Sequence, residues 1–424
     1  MYKTATLATL LVTLSVAGTY AADWPAVYGP KRDGTSDQKG LLRTWPKEGP
    51  KLLWTVEVGP GFGGAAISGG KAYLLDRDEK VGDKLRVFDV ATGKELWTFA
   101  YDAPGTFMFP GSRTTPTVDG DRVYTSGPLG DLYCLSTTTQ KPVWQKNIWK
   151  EFGGGELPRW AVVQHPLIYG NLLIVAPQTA QAGVVAYDKL TGELKWKSEP
   201  LGGLPGYVSP SIAKIGGEDH LVMITASNGR GRNARDGSVA GLDPRSGKRL
   251  WSYTGWQNPI PVPQPVDAGV GRLLITGGYG AGTVIIKVDK KADGTYAATE
   301  LSRNAEVGSH TQPPILYQDH FYSHDTVNER NDGLVVKGLD AQVKWKTDTT
   351  PPFTRGGMIL AENLLLATDG STKLYLLEPN ATGFKPLASA EILEAGDNWA
   401  PLALADGRLI VRGQKQMKAF QVAQ

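Results

Sequence analysis

The sequence has a single cysteine, Cys134, in 424 residues, and this scarcity excludes several kinds of site. One cysteine cannot form a disulfide within the chain, a zinc site built on two cysteines or a Cys-x-x-Cys-His haem attachment. Cys134 stands where the pattern predicts an apolar strand residue, so we interpret it as a small buried hydrophobic side chain and not as a reactive thiol. No metal site is predicted from the residues.

Long apolar runs are also missing. The apolar stretch Leu7–Val16 is shorter than the roughly 20 residues that span a bilayer, and no later stretch is long enough. Lys3 before it and Thr19-Tyr20-Ala21 after it are typical of a secretory signal peptide over residues 1–21, cleaved near Ala21/Ala22. We therefore expect a periplasmic or secreted protein without a membrane span. No lipid anchor is expected, because no cysteine stands at the predicted cleavage site. An N-terminal anchor or a core strand is the alternative.

The chain lacks an excess of charge and the familiar catalytic motifs. Its formal net charge is +3 with scattered lysines and arginines, so no nucleic-acid partner is expected. The phosphate loop, the His-Glu-x-x-His zinc motif and the Gly-x-Ser-x-Gly nucleophile turn are absent. What the sequence has in quantity is 52 glycines, 28 prolines and 12 tryptophans, a composition that favours many short strands joined by turns.

One phrase recurs along the chain. Val87–Trp97 returns as Ala186–Trp196 and Gly241–Trp251, with a weaker copy at Cys134–Trp144. In each of the three strong copies, apolar residues flank a Thr-Gly or Ser-Gly pair, where glycine can take positive φ and a preceding aspartate can bond the turn backbone. The phrase therefore predicts a strand, a tight turn and a second strand. Its spacing is typical of a four-stranded propeller blade.

A second pattern, a proline followed by apolar residues and a glycine-containing turn, precedes each phrase and has eight copies. The N-terminal strand Leu52–Val58 has no blade before it, and the C-terminal segment with Met417–Val422 lacks a fourth strand. We therefore predict an all-β, eight-bladed β-propeller of four-stranded antiparallel blades over residues 51–424, after an extension at 22–50. The N-terminal strand closes the last blade. Structural, blade-closing packing is predicted for Trp54, Trp97, Trp144, Trp196, Trp251 and Trp345.

These phrases resemble a known family. Asp89–Trp97 is similar to the Asp-x-x-Thr-Gly-Lys-x-x-Trp repeat of PQQ-like propellers, and Trp24-Pro25 with Gly29–Gly34 resembles their secreted BamB-like subset, as does Asn398–Pro401. The resemblance implies one of two roles. BamB has the eight-bladed form without chemistry, whereas quinoprotein dehydrogenases bind PQQ with calcium over the propeller centre. This chain lacks both the lipid-bearing cysteine of BamB and the adjacent cysteines beside the cofactor in the dehydrogenases.

Alignment of the copies on their proline predicts a ligand-binding funnel on the face where the first strands begin, here called the top face. Variable loops on a rigid scaffold commonly bind ligands, and strand side chains alternate in direction. The residues one, two and three positions before the proline could bind a sugar or a carboxylate. They could equally bond neighbouring blades. The candidates are Arg113, His165, Tyr207, Gln264, His310, Gln312, Arg355, Asn398 and Trp399.

Three functions are compatible with these observations. The leading hypothesis is a noncatalytic binding scaffold, because no catalytic set can be assembled from the residues. The alternative is a PQQ-dependent alcohol or sugar dehydrogenase, which would take PQQ with calcium. The third is a glycan-active enzyme in which His with Tyr or Arg transfers protons. Each predicts a monomer whose top face binds a protein, a polar small molecule or a glycan.

Overall fold

The computed structural model describes residues 23–229, 235–327 and 330–424. The predicted signal peptide lies outside the described residues. Eight antiparallel sheets follow one another along the chain, and the first strand of each lies beside that of a neighbouring blade. The predicted fold, an eight-bladed β-propeller, is confirmed.

Each blade uses four strands in sequence order, with the first nearest the axis, except that the last blade takes its fourth strand from the N-terminus. Blades 1 to 4 consist of Ala66–Ser68, Lys71–Asp78, Gly82–Asp89 and Glu95–Ala100; Thr117–Asp119, Arg122–Ser126, Asp131–Ser136 and Pro142–Asn147; Leu167–Tyr169, Leu172–Val175, Val185–Asp188 and Leu194–Lys197; and Ser211–Ile215, Glu218–Ile224, Val239–Leu242 and Arg249–Tyr253. Blades 5 to 8 consist of Val266–Asp267, Arg272–Gly277, Gly282–Lys290 and Tyr296–Asn304; Ile315–Tyr317, His320–Val327, Arg330–Gly338 and Val343–Lys346; Met358–Ala361, Leu364–Thr368, Lys373–Leu377 and Pro386–Glu391; and Ala403–Ala405, Arg408–Arg412, Gln416–Gln421 and Lys51–Glu57. A one-turn helix, Ile148–Glu151, follows blade 2.

The chain termini close the ring as predicted. Lys51–Glu57 runs antiparallel to Gln416–Gln421, with Val56 opposite Met417. Trp54 in this strand is buried and packs in the largest apolar cluster, which joins blades 7, 8 and 1. The N-terminal strand therefore removes the free edge of blade 8 and supplies part of its core.

The blades pack face to face, and this determines the strand sequences. Leu364–Thr368 is buried at every position, because both faces of a middle strand contact another blade. The outer strand Glu95–Ala100 instead exposes most of its residues and buries Trp97. Continuous apolar runs therefore mark middle strands, and a lone tryptophan marks an outer strand.

The repeated turn holds the tryptophan of the preceding blade. Asp89 accepts hydrogen bonds from the amide and hydroxyl of Thr92, at 2.8 and 2.7 Å, and Gly93 has a φ of 74°. The indole of Trp54 donates to the carbonyl of Val90 at 2.8 Å, with its ring against Gly93. Trp144 donates in the same way to Lys189, at 3.1 Å. The recurring glycine is thus needed for both the turn and the contact between blades.

Replacing Gly192 by alanine should cost more stability than replacing Gly170. Both glycines have positive φ, 72° and 58°, so alanine strains the backbone similarly at each. A Cβ at position 192 would lie 2.7 Å from the ring of Trp144, whereas nothing lies within 4 Å at position 170. We expect an additional loss of about 1–3 kcal/mol for Gly192→Ala in urea unfolding. Equal losses would show that the contact between turn and tryptophan does not stabilise the ring.

The segment before the first blade crosses the axis of the ring. Trp24 bridges to Ile67 in blade 1, and the carbonyl of Pro25 accepts from Val118 in blade 2. On the other side, Thr35–Ser36 pairs in parallel with Met358–Ala361 of blade 7. The residues between these contacts therefore lie across the central channel.

Candidate functional site

A cavity opens on the top face, where segments from all eight blades converge. The cavity has a volume of about 220 Å³, defined as the space that the centres of water molecules can reach. This space is enough for a small organic ligand. Eight of the nine candidate residues line it, namely Arg113, His165, Tyr207, Gln264, His310, Gln312, Arg355 and Trp399. Their role in binding a ligand stays a prediction.

Asn398 does not line this cavity, contrary to the alignment. Its amide donates to the carbonyls of Ser371 and Glu394, and it borders a separate depression at the rim. The alignment assumed that side chains alternate as in a strand. The segments above the first strands are irregular, so Trp399 turns inward and Asn398 turns away. In blade 6, for the same reason, the consecutive residues 310–312 all face the cavity.

Aromatic side chains that the repeats did not indicate form much of the wall. Phe62 lies 5.3 Å from Trp399 between ring centroids, and Trp160 lies 5.0 Å from Tyr207. Phe109 packs edge-on against Trp160 at 5.8 Å. These residues sit in loops that differ from blade to blade. The long loops before blades 2 and 3 carry Phe109 and Trp160, but Phe62 precedes blade 1 and no pattern in the sequence indicates it.

Two arginines place positive charge in the wall. Arg113 donates to the carbonyls of Gly111, at 2.8 Å, and Phe109. Burial lowers the pKa of Arg113 to about 10, which leaves it charged at neutral pH. The guanidinium of Arg355 lies 4.8 Å above the ring of Trp399. Arg355 thus lies over an aromatic side chain that lines the cavity, whereas Arg113 lies over Phe107, which is not part of the cavity lining.

The two histidines of the cavity are neutral at neutral pH. Burial and the nearby charge of Arg32 lower the pKa of His165 to about 3. Burial and the charge of Arg355 lower that of His310 to about 4. The Nδ1 atom of His165 accepts from the amide of Thr115 at 2.9 Å, and that of His310 lies 3.3 Å from Arg355 Nη2. Since a guanidinium only donates, both nitrogens act as acceptors.

Several candidates also bond neighbouring segments, as the alternative interpretation held. Gln264 donates to the carbonyl of Arg32 at 2.6 Å, and Gln312 donates to that of Trp399 at 2.8 Å. The hydroxyl of Tyr207 accepts from the amide of Trp160 at 3.2 Å. These bonds hold the wall segments in place, and the aromatic and arginine side chains line the cavity.

Among the described residues that line the cavity, none is an aspartate or a glutamate. Across the described ranges, there is no group of three or more His, Cys, Asp or Glu residues that could hold a metal ion. Calcium binds six to eight oxygen ligands, usually including carboxylates. The described residues of the cavity walls therefore offer positive charge and aromatic surface, and they do not form a calcium site.

Comparison with known proteins identifies relatives of two kinds. The family model for the outer membrane protein assembly factor BamB matches residues 81–335, more than half of the chain. BamB of Nitrosomonas eutropha is 23% identical over 203 residues, 46% of this chain and 42% of that protein. The dehydrogenase subunit of a quinone alcohol dehydrogenase of Gluconobacter oxydans is 23% identical over 333 residues, 62% of this chain and 43% of that protein. The chain thus spans less than half the length of these relatives.

Among solved structures, the quinohemoprotein alcohol dehydrogenase of Comamonas testosteroni matches with a TM-score of 0.65 at 15% identity. The match covers 95% of this chain and 80% of that one, and at this identity it shows the shared fold. The prediction of a noncatalytic scaffold is wrong, because the dehydrogenase subunit matches more of this chain than BamB does. Within the described part of the chain, no helix is long and apolar enough to cross a membrane.

Proposed function

Because this chain belongs to the BamB family of propellers, with quinone dehydrogenases among its relatives, we propose that it is a PQQ-dependent dehydrogenase-like oxidoreductase. The top-face cavity would hold the quinone. The observation that carries the proposal is a cavity whose described lining combines aromatic walls with two guanidinium groups and includes no carboxylate. The activity, the cofactor and the alcohol or sugar substrate all belong to the proposal.

The residues of the cavity fit the quinone itself. PQQ is a flat aromatic molecule with three carboxylates, and bound in the cavity it would supply the group that accepts two electrons from an alcohol. Trp399 and Trp160 both pack against Phe109, at 5.9 and 5.8 Å between ring centroids, and all three side chains line the cavity. Arg113 and Arg355 are placed to pair with carboxylates. The chain's own contribution is binding, orientation and exclusion of water.

The same residues do not fit the calcium ion that the family's dehydrogenases use. Calcium would need carboxylate oxygens, and the described residues around the cavity supply none. We therefore derive no role for a metal. Nδ1 of His310 already accepts from Arg355 Nη2 at 3.3 Å, and a pKa of about 4 makes the imidazole a weak base, so we assign it no proton transfer.

Titration of the purified protein with PQQ tests the proposal. We expect saturable quenching of tryptophan fluorescence, since Trp160 and Trp399 line the cavity, and equal affinity in calcium and in EDTA. Arg355→Gln should weaken binding by about tenfold, the effect of losing one charged hydrogen bond. The surface variant Arg303→Gln, which removes a cation paired with Glu300, should bind as the unmodified protein does.

A dye-linked assay with alcohols and sugars then tests oxidation by the loaded protein. Failure to bind PQQ would contradict the cofactor, and binding without oxidation of either substrate class would contradict the enzyme. Export to the periplasm and a monomeric state remain parts of the proposal. The predicted signal peptide and the BamB relative support export.

A further inference from the structure

Tyr279 reaches the mouth of the cavity from a tight turn between the second and third strands of blade 5. The amide of Ala281 donates to the carbonyl of Gly278 at 3.1 Å and closes this turn. Of the described residues that line the cavity, Tyr279 is the most exposed, at 38%. Its side chain therefore lies where the cavity opens to solvent.

The backbone of this turn is unfavourable for a tyrosine. Tyr279 has a φ of 56° and Gly280 one of 75°. Hairpin turns whose two central residues both have positive φ are usually built from Gly, Asn or Asp, because a larger side chain strains the backbone there. Among the described lining residues, Tyr28 alone shares this feature, with a φ of 61°. Since bulky residues held at positive φ cluster at ligand-binding sites, the turn indicates a role for the side chain of Tyr279.

Tyr279 completes a closed series of side-chain contacts around the cavity. Its ring packs edge-on against His310 at 4.6 Å between centroids and lies 6.2 Å from the ring of Trp160. From there the contacts pass along the wall, and the members in order are Trp160, Phe109, Phe62, Trp399, Arg355 and His310. All of them line the cavity. Trp160 precedes blade 3 and Tyr279 belongs to blade 5, so their contact spans blade 4 and narrows the mouth.

The turn itself is packed against the wall. A Cβ at position 278 would lie 2.9 Å from Nδ1 of His310, so glycine is needed for the turn to approach the imidazole this closely. The ring of Tyr279 extends from this fixed backbone and keeps an exposed surface. A flat ligand in the cavity can therefore pack against the ring without displacing the turn.

We infer that Tyr279 is a ligand-binding residue that covers a flat aromatic ligand from the solvent side and slows its release. The inference rests on the proposed function for the identity of the ligand. It adds a binding residue from a turn outside the predicted funnel. Because the aromatic ring makes the contact, phenylalanine can replace the tyrosine. The effect of losing the ring falls on the dissociation rate more than on the association rate.

Stopped-flow tryptophan fluorescence with PQQ measures both rates. Tyr279→Gly, which suits the positive φ and removes the ring, should raise the dissociation rate about tenfold, the effect of losing one aromatic contact. Tyr279→Asn, which also tolerates positive φ, should behave in the same way, and Tyr279→Phe should release PQQ as the unmodified protein does. The matched control is Val270→Gly, at the other end of the second strand of blade 5. Val270 has a φ of 48°, stands between two glycines and is 77% exposed, so its replacement should change neither rate.

Equal release of PQQ from Tyr279→Gly and from the unmodified protein would overturn the inference and leave the proposed function standing. Equally fast release from Val270→Gly or from Tyr279→Phe would also overturn it, because neither change removes the ring. Naphthalene-2,6-dicarboxylate, a flat aromatic compound, serves as a second probe in the same experiment. If it binds and its release depends on Tyr279 while PQQ does not bind, the proposed cofactor is contradicted and the inference supported. Binding of neither compound by the unmodified protein would contradict both.

Discussion

Deletion of Lys51–Glu57 should unfold the whole propeller and not merely shorten it. The strand is the only partner of the outer edge of Gln416–Gln421, and it carries Trp54, which packs against the turn at Gly93 of blade 1. Its loss exposes the edge of blade 8 and opens the contact between the last blade and the first. We expect the free energy of unfolding to fall by at least about 5 kcal/mol, more than the loss of one buried tryptophan would cause. Urea unfolding followed by circular dichroism measures this change.

Two substitutions in the same strand test whether its stabilising effect comes from its role in closing the ring. Trp54→Ala should cost about 3–5 kcal/mol, because the indole is buried and donates to Val90. Thr55→Ala, at the neighbouring exposed position, should change stability by less than about 0.5 kcal/mol. A deletion variant that unfolds at the same urea concentration as the intact chain would show that the terminal strand does not hold the ring together.

The fold could be predicted because its main determinant is local. The bond from Thr92 to Asp89 and the positive φ of Gly93 are properties of a five-residue turn, so the sequence alone specifies the hairpin. Counting such hairpins gives the blades. The closure of the ring could be predicted because one strand at each end of the chain lacks a blade partner. That prediction requires a count of strands and no knowledge of side-chain geometry.

The site could be predicted only in part, because its residues lie in irregular segments. Arg113, His165 and Gln264 face the cavity as the register indicated. Asn398 does not, because a turn at Gly396 replaces the strand alternation on which the alignment relied. Tyr28 and Arg32 escaped notice because they belong to no repeat. Only the contacts of their segment on both sides of the ring place them at the axis.

The function was misjudged for a related reason. The absence of a familiar catalytic motif favours a scaffold when only the sequence is considered, but a cavity built from eight separate loops leaves no contiguous motif in the sequence. Trp160 and Trp399, for example, are far apart in the chain and both line the cavity. Only the assembled ring shows that these residues share a cavity with the arginines.

Acidification from pH 8 to pH 5 should destabilise the protein by several kcal/mol through three buried histidines. Burial lowers the pKa of His165 to about 3 and those of His310 and His324 to about 4, from an ordinary 6.5. Because each folded-state pKa lies below the unfolded value, the unfolded chain takes up protons that the folded chain refuses. Stability is therefore full above pH 6.5 and falls as the pH drops towards 4. By pH 5 the loss is about 2 kcal/mol for each imidazole.

Substitution of these histidines by glutamine should flatten the dependence of stability on pH. The Nδ1 atom of His324 bonds the carbonyl of Gly356 at 2.7 Å while its Nε2 is buried without a partner, so a second proton would have no acceptor among the described residues. His324→Gln should therefore cost stability at pH 8 and recover about 2 kcal/mol of it, relative to the unmodified protein, at pH 5. Gln178→Ala, which removes a buried neutral acceptor for the amide of Gly206, should cost the same at both pH values. Urea unfolding at the two pH values measures both effects. If stability depends on pH in the same way in the unmodified protein and in all three glutamine variants, these imidazoles do not cause the loss of stability in acid.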